Sequence, residues 1–165
     1  MKIIFIGPPG SGKSSIGREL ASLMQLKHID TDSLIELKSG KRITDIFIED
    51  GEGVFREIER EIVLQALDED NSVISLGGGS ILDSDVASKL RNEPNVIYLE
   101  VSISNAAPRV GFNTDRPLLV ANPRQQWLKL MESRKAIYEE LGKKQISTDN
   151  RKPKEIAREI LESIR

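Results

Sequence analysis

Short apolar runs alternate with longer segments of mixed polarity along this chain. The runs are rich in β-branched residues and are bounded by polar or turn-forming residues, which predicts strands buried on both faces of a parallel sheet. The predicted strands cover residues 2–6, 26–30, 72–76, 95–101 and 145–148. A strand that is buried on both faces needs helices to cover it, so the intervening segments decide the fold class.

Those segments carry apolar residues at every third or fourth position, which is the spacing of one helix face. The segment after the first strand shows the stripe Ile16, Leu20, Leu23 and Met24. Helices are predicted to begin near residue 13, then over 33–39, 44–50, 52–68 and 83–90, and to begin again at 122 and 153, whereas 108–121 is predicted to be irregular. At the start of the helix near 122, Asn122 followed by a proline predicts a capping asparagine. Strands that alternate with helices predict βαβ units, a parallel sheet and helices on both of its faces.

Composition agrees with a globular α/β protein. The chain has 165 residues, of which 38% are hydrophobic and 30% charged, so we expect one domain, residues 1–165, with one core. No apolar run approaches the roughly 20 residues that a membrane-spanning helix needs. The first predicted strand begins at residue 2, so we expect neither a signal peptide nor a transit peptide before it.

Charge and cysteine content narrow the choice of ligands. The formal net charge is −2, which argues against a nucleic-acid-binding domain. The chain has no cysteine, so it carries neither a disulfide framework nor a thiolate metal site, and this suits a reducing cytoplasm. We therefore expect a cytoplasmic protein whose partners are small molecules rather than nucleic acid or a membrane.

The first predicted strand ends in a phosphate-binding motif. Residues 7–14 read GPPGSGKS, which fits G-x-x-x-x-G-K-[ST] and stands between a strand and a helix, as that motif requires. Its glycines let backbone N–H groups approach an anion, and the helix that follows directs its positive end at the same phosphates. Lys13 is expected to reach the β- and γ-phosphates, and Ser14 to ligate Mg²⁺. The motif predicts binding of a nucleoside triphosphate.

The second predicted strand ends in two carboxylates, Asp30 and Asp32. Phosphoryl transfer needs an acidic group near Mg²⁺ and another that orients the acceptor hydroxyl or takes its proton. The alternative is a turn that caps the helix beginning at Ser33, and this would account for only one of the two acids.

The third predicted strand ends in three consecutive glycines, 77–79. Position at the carboxyl end of a strand favours a turn whose backbone lies close to a ligand and offers amide donors. A flexible turn between strand and helix remains the alternative.

Several basic residues have two possible roles. Arg134 falls within an apolar helix stripe, where a guanidinium is unfavourable unless it is paired, snorkels or faces a ligand cavity. Arg109 and Arg116 belong to the irregular segment, which is either a lid that brings positive charge to the phosphates or an exposed loop. The position of Arg56 in its predicted helix indicates, by itself, a side chain exposed to solvent. The single histidine, His28, is expected to have a structural role.

In their order and spacing, these segments resemble the shikimate kinase family. The resemblance rests on GPPGSGKSS, DTD, ITDIFIEDGEGVFREIE, SLGGG, NTDRPLL, SRKAIYEEL and NRKP, which together span almost the whole chain. It implies a three-layer α/β/α fold of the nucleoside monophosphate kinase type, with a five-stranded parallel sheet, a mobile lid at about 108–121 and a monomeric state. It also implies an enzyme that transfers the γ-phosphate of ATP, with Mg²⁺, to the 3-hydroxyl of shikimate on the route to chorismate and the aromatic amino acids.

The resemblance also implies roles for individual residues on the nucleotide side. Ser14 would ligate Mg²⁺ and Asp30 would orient it through water, while Lys13 and the lid residue Arg116 would contact the phosphates. Arg109, Arg151 and Pro153 would surround the adenine. The expected nucleotide-binding set is Gly10, Ser11, Gly12, Lys13, Ser14, Ser15, Arg109, Arg116, Arg151 and Pro153.

On the acceptor side, the resemblance implies that Asp32 hydrogen-bonds the shikimate hydroxyls and acts as the base. Arg56 and Arg134 would clamp the shikimate carboxylate, which suits the fork geometry of guanidinium groups. The remaining expected contacts are the apolar walls Phe47 and Phe55 and the turn residues Gly77, Gly78 and Gly79.

Three alternatives stay open at this point. A gluconate or nucleotide kinase would share the phosphate-binding loop and differ in its acceptor site. A non-catalytic nucleotide switch would bind nucleotide without forming a phosphorylated product. A nucleic-acid-stimulated ATPase is disfavoured by the acidic balance of the chain.

Overall fold

The computed structural model describes residues 1–110 and 122–165. Five strands within these ranges form one all-parallel sheet in the order β2-β3-β1-β4-β5. The strands are β1 (Lys2–Ile6), β2 (Lys27–Asp30), β3 (Ser72–Ser75), β4 (Val96–Glu100) and β5 (Lys144–Ser147). The predicted parallel sheet is confirmed, and each predicted strand overlaps an observed one.

Eight α-helices lie within the described ranges. They are α1 (Lys13–Met24), α2 (Thr31–Ser39), α3 (Ile43–Glu49), α4 (Glu52–Leu67), α5 (Ser84–Arg91), α6 (Ile103–Val110), α7 (Pro123–Leu141) and α8 (Pro153–Ser163), with one 3₁₀ turn at Ser80–Leu82. None of the described helices is long and apolar enough to cross a membrane.

Alternate residues of the central strand show why the fold has three layers. Ile3 and Phe5 of β1 pack with α1 and α8 in one apolar cluster, whereas Ile4 and Ile6 pack with α4, α5 and α7 in another. Successive side chains of a strand point to opposite faces, so helices are needed on both sides of a sheet this apolar. The three-layer α/β/α architecture is therefore as predicted.

Two local predictions are wrong. Residues 108–110 were predicted to be irregular but belong to α6, which contains Pro108; a proline disfavours a helix interior, and this masked the helical pattern. Asn122 precedes α7 as predicted, but its side chain makes no capping hydrogen bond and instead donates to Gln125 Oε1 at 2.7 Å. Residues 111–121, the rest of the expected lid, lie outside the described ranges.

Strand order places a crevice at the carboxyl end of β1. From β1 the chain runs to β2, which lies on one side of β1 in the strand order. From β3 the chain runs to β4, which lies on the other side of β1. Connections that diverge in this way open a crevice beyond the strand ends, which is where ligands bind in open α/β sheets. Register brings Phe5 and Asp30 level with the same residue, Ser75, so the loops after β1, β2 and β3 meet at one edge.

Candidate active site

The loop between β1 and α1 has the backbone of an anion-binding turn. Gly12, the residue before α1, has φ 91°, a conformation that side-chain-bearing residues rarely adopt. Ser11 is fully buried, and its amide donates to Pro8 O at 3.2 Å, which closes the turn. The ammonium group of Lys13 bends back over the loop and donates to Gly7 O at 2.8 Å and to Pro8 O at 3.0 Å.

Ser14 and Asp30 bring two hard oxygen donors together in front of this loop. Ser14 Oγ donates a hydrogen bond to Asp30 Oδ2, and Asp30 Oδ1 accepts one from Ser33 N at 3.1 Å. Asp30 therefore caps α2, the alternative raised for these acids, and holds the serine hydroxyl with its other oxygen. Mg²⁺ is usually held by one or two protein oxygens together with substrate phosphates and water, and this donor set fits such an ion.

A cavity of about 340 Å³, which we call the phosphate cavity, is lined both by predicted nucleotide residues and by predicted acceptor residues. Asp32, in the first turn of α2, lies on its wall together with the loop. The predicted site residues that line this cavity are Gly10, Gly12, Lys13, Ser14, Ser15, Asp30, Asp32, Gly78 and Arg109. Residues from the ends of β1, β2 and β3 thus converge on one space, with the lysine and both carboxylates facing it.

Arg56 is held by a buried glutamate. Its Nη1 lies 2.7 Å from Glu59 Oε1, and its Nη2 lies 3.7 Å from Glu52 Oε1. Glu59 is only 3% exposed, and its second oxygen accepts no hydrogen bond from the described residues. A carboxylate buried this deeply needs a cation beside it, so each member of this pair fixes the other.

Two aromatic rings complete the surroundings of Arg56. The guanidinium carbon lies 5.2 Å from the ring centroid of Phe55, and the centroids of Phe55 and Phe47 are 4.7 Å apart. Phe55 belongs to the apolar cluster that packs α2, α3 and α4 together. The predicted apolar walls therefore lie beside the predicted carboxylate-binding arginine.

The glycine turn after β3 approaches Arg56 and α7 closely. A β-carbon built on Gly79 would lie 2.7 Å from Arg56 Nη2, so only glycine leaves the guanidinium its place. Gly78 O accepts a hydrogen bond from the Tyr138 hydroxyl at 2.6 Å. The Gly77 amide donates to Thr31 Oγ1 at 3.2 Å, so that donor serves the fold.

Arg134 lies on α7 one helical turn before Tyr138. The residue is 4% exposed, which agrees with the position predicted within the apolar stripe. A second cavity, also of about 340 Å³, is lined by Arg56, Glu59 and Gly79 together with the 3₁₀ turn. The phosphate-binding loop thus approaches Gly78, and the guanidinium of Arg56 approaches the adjacent Gly79.

The residues predicted around the adenine form a third group. Arg109 donates to Gly10 O at 3.1 Å and to Thr148 O at 2.8 Å, so it bridges the phosphate-binding loop and the end of β5. A cavity of about 240 Å³ is lined by Ser15, Arg109, Arg151 and Pro153. Arg151 pairs with Glu155 at 3.1 Å and with Glu159, and these contacts raise its pKa. Arg116 lies outside the described residues.

Sequence reasoning missed three residues of the site. Glu59 stands three positions after Arg56, a spacing that is typical of exposed ion pairs on a helix. The sequence therefore contains no indication that Glu59 is buried. Ser75 lines the phosphate cavity and donates to Lys13 O at 2.8 Å. Trp127, 5% exposed, donates from Nε1 to Pro9 O at 2.9 Å. The contacts of Ser75 and Trp127 join segments that are distant in the sequence.

His28 lies on β2 and contacts the neighbouring strand β3. Its Nε2 atom is 3.0 Å from Ser75 Oγ. Burial lowers the pKa of His28, and Arg18 adds to this, while Asp30 acts in the opposite direction.

Comparison with known proteins identifies relatives over nearly the whole chain. A family model described as shikimate kinase matches residues 9–165. The shikimate kinase of Streptomyces avermitilis is 41% identical over 163 residues, which covers 99% of this chain and 95% of that protein. The solved structure of a shikimate kinase from Acinetobacter baumannii in complex with shikimate has a TM-score of 0.95 at 32% identity, covering 99% of this chain and 92% of that one.

A kinase for a different acceptor resembles the chain less. A gluconokinase from Sinorhizobium meliloti gives a TM-score of 0.56 at 21% identity, covering 99% of this chain and 90% of that one. This likeness concerns the fold alone.

Proposed function

The chain belongs to the shikimate kinase family, and we propose that it transfers the γ-phosphate of ATP to the 3-hydroxyl of shikimate. The products are shikimate 3-phosphate and ADP, and the reaction stands on the route to chorismate and the aromatic amino acids. The observation that carries the proposal is the cavity that Lys13, Ser14 and both carboxylates share with Gly78. The next residue, Gly79, lies against Arg56. The phosphate-binding loop and a guanidinium group suited to a carboxylate are therefore neighbours.

On the donor side, the backbone amides of the loop and the N-terminus of α1 bind the phosphates. Lys13, which donates to the carbonyls of Gly7 and Pro8, is proposed to stabilise the negative charge of the transferring phosphoryl group. Phosphoryl transfer requires little covalent help from the protein, so positioning and charge stabilisation dominate catalysis. Arg116 is proposed as a further cation from the lid.

Ser14 Oγ and Asp30 Oδ2 would hold Mg²⁺, with Asp30 acting through a bound water. When bound, the ion neutralises charge on the β- and γ-phosphates. The hydrogen bond between these two side chains keeps both oxygens on the cavity side of α1. The cap that Asp30 forms on α2 fixes the carboxylate, so its orientation does not depend on the ligand.

On the acceptor side, Arg56 and Arg134 bind the shikimate carboxylate, and Phe47 and Phe55 bound the ring. Paired guanidinium groups suit a planar carboxylate because each presents parallel N–H donors. Asp32 lies on the wall of the phosphate cavity and is proposed to orient the 3-hydroxyl and to accept its proton. Arg109, Arg151 and Pro153 are proposed to surround the adenine.

We propose that residues 1–165 act as one monomeric, cytoplasmic kinase domain, with a lid at about 108–121 that closes over the phosphates. Small molecules, rather than nucleic acid or a membrane, are its proposed partners.

A coupled assay with ATP and Mg²⁺ tests the acceptor directly. Shikimate, gluconate and nucleoside monophosphates are supplied separately, and phosphorus NMR identifies the product. We expect a phosphate ester with shikimate alone. Turnover with gluconate or a nucleotide instead would contradict the acceptor assignment, and ADP release without any ester would indicate a nucleotide switch.

An Asp32→Asn variant tests the proposed base. Loss of a positioned base lowers turnover by about 100-fold or more, while shikimate binding is retained because the amide still hydrogen-bonds hydroxyls. Near-normal turnover would show that Asp32 is not the base.

A further inference from the structure

A chain of two hydrogen bonds runs from β2 to the first residue of α1. His28 Nε2 lies 3.0 Å from Ser75 Oγ on the neighbouring strand. Ser75 Oγ donates in turn to the carbonyl oxygen of Lys13 at 2.8 Å. The imidazole is half-buried and lines a separate cavity of about 490 Å³, whereas Ser75 lines the phosphate cavity.

The directions of the two bonds follow from the serine hydroxyl, which has one proton. Ser75 uses that proton for the Lys13 carbonyl, so its oxygen accepts the Nε2 proton of His28. The imidazole carries a proton on Nε2 in one neutral tautomer and in the cation alike, so protonation of the ring leaves the bond in place. The histidine thus fixes the rotation of the hydroxyl that holds the helix.

The helix leaves room for this pair at Gly17. A β-carbon built there would lie 2.5 Å from Ser75 Oγ and 2.7 Å from His28 Nε2. Glycine is the poorest helix former after proline, yet Gly17 is a buried residue within α1. The imidazole and the hydroxyl occupy the space that a larger side chain would need, which explains why this position is a glycine.

We propose that His28 is a positioning residue of the phosphate site. It orients the Ser75 hydroxyl, which fixes the Lys13 carbonyl and with it the first turn of α1. That turn carries the side chains of Lys13 and Ser14, so an imidazole that touches no substrate sets where the cationic and metal-binding groups stand. The inference deepens the proposed function, because it concerns the same phosphate site.

His28→Leu removes the donor, and His28→Gln supplies an amide N–H at nearly the same reach. We expect His28→Leu to lower kcat about tenfold, the effect of one lost hydrogen bond that aligns reacting groups. The KM for ATP should rise, and the KM for shikimate should change by less than about twofold. His28→Gln should keep kcat within about threefold of the parent protein. Unchanged kcat in His28→Leu, or equal losses in both variants, would overturn the proposal.

Ile29→Val provides the matched control. Ile29 is the next residue of β2 and is 5% exposed, so loss of a methyl group there destabilises the same strand without touching the hydrogen bonds. Melting temperatures are measured for all variants. Ile29→Val should lower the melting temperature and leave both kinetic constants unchanged; if it reproduces the kinetic defect, His28 acts only through stability and the proposal fails.

A double-mutant cycle with Ser75→Ala tests the route. If His28 acts through Ser75, the double variant should be no worse than Ser75→Ala alone, because the second change removes a bond already lost. Additive losses would overturn the proposed route. The same cycle is measured by calorimetry with ADP, where each broken link should weaken binding about fivefold. This readout needs no acceptor, so a failed shikimate assignment would not affect it.

Discussion

Lys13 and Ser14 are neighbours in the sequence, and one loop places both of them, whereas Arg56 and Arg134 come from two helices far apart along the chain. The proposed donor side is fixed by backbone: a turn closed by the Ser11 amide and a helix that begins where the turn ends. The proposed acceptor side is fixed by side chains, since Arg56 is paired with the buried carboxylate of Glu59.

This difference determines how each side responds to mutation. A site made mainly of backbone loses most of its function when one of the few side chains that it presents is removed. A site made of mutually supporting side chains loses function in graded steps, because each partner contributes a part of the orientation. Four changes test this contrast, and they are given from the largest expected effect to the smallest.

Lys13→Met should lower kcat by about 100- to 1,000-fold, because it removes the cation proposed to stabilise the transferring phosphoryl group. Shikimate affinity, measured by calorimetry, should be unchanged because the acceptor side is built independently. A variant with near-parental turnover would exclude the proposed role of Lys13 in transfer.

Arg134→Ala should raise the KM for shikimate by roughly 30- to 150-fold, which corresponds to about 2–3 kcal/mol for a lost charged contact. ADP affinity should stay at the parental value. Lys135→Ala is the control, because this exposed neighbour makes only a 3.9 Å pair with Glu139 and such surface pairs contribute little. Equal KM values for shikimate in Arg134→Ala and the parent protein would exclude the carboxylate clamp.

Gly79→Ala should raise the KM for shikimate about tenfold. The new methyl group would meet Arg56 Cζ at 2.8 Å and displace the guanidinium from its place, and binding geometry is sensitive to such shifts. Gly53→Ala is the matched control, since a β-carbon there meets nothing within 4 Å. If the two alanine variants behave alike in steady-state kinetics, the close approach of the turn to Arg56 has no bearing on acceptor binding.

Glu59→Gln should have the smallest effect, about a fivefold rise in the KM for shikimate. The amide can still accept from Arg56 Nη1, so the hydrogen bond persists while its charge assistance is lost. Glu57→Gln, at an exposed position of the same helix, should match the parent protein. A fall in kcat with KM unchanged would place the role of Glu59 in transfer rather than in acceptor binding.

The donor side could be predicted from the sequence because its determinants are contiguous. A β-branched run, a glycine-rich turn and an apolar stripe follow one another within residues 2–24, and each limits the backbone locally. The parallel sheet was predictable for a similar reason, since its strands are short, apolar and separated by helical patterns. Helix α6 escaped prediction because local rules count Pro108 against a helix, although packing of α6 on α7 sustains it.

The acceptor side could not be predicted from local rules. Spacing alone indicated that Arg56 is solvated, and only the resemblance to a family assigned it to the acceptor. Its partner Glu59 looks like any surface residue of an amphipathic helix, because burial there results from the packing of α2, α3 and α4. His28 and Ser75 likewise meet only because β2 and β3 pair in parallel.

The indole of Trp127 gives the protein an intrinsic optical probe. The chain contains a single tryptophan, and its N–H donates to Pro9 O within the phosphate-binding loop. Indole emission responds to the polarity and hydrogen bonding around the ring, so filling of the neighbouring anion site can be followed in stopped-flow traces without any attached dye. Occupancy of the phosphate-binding loop thereby becomes observable in the unlabelled protein.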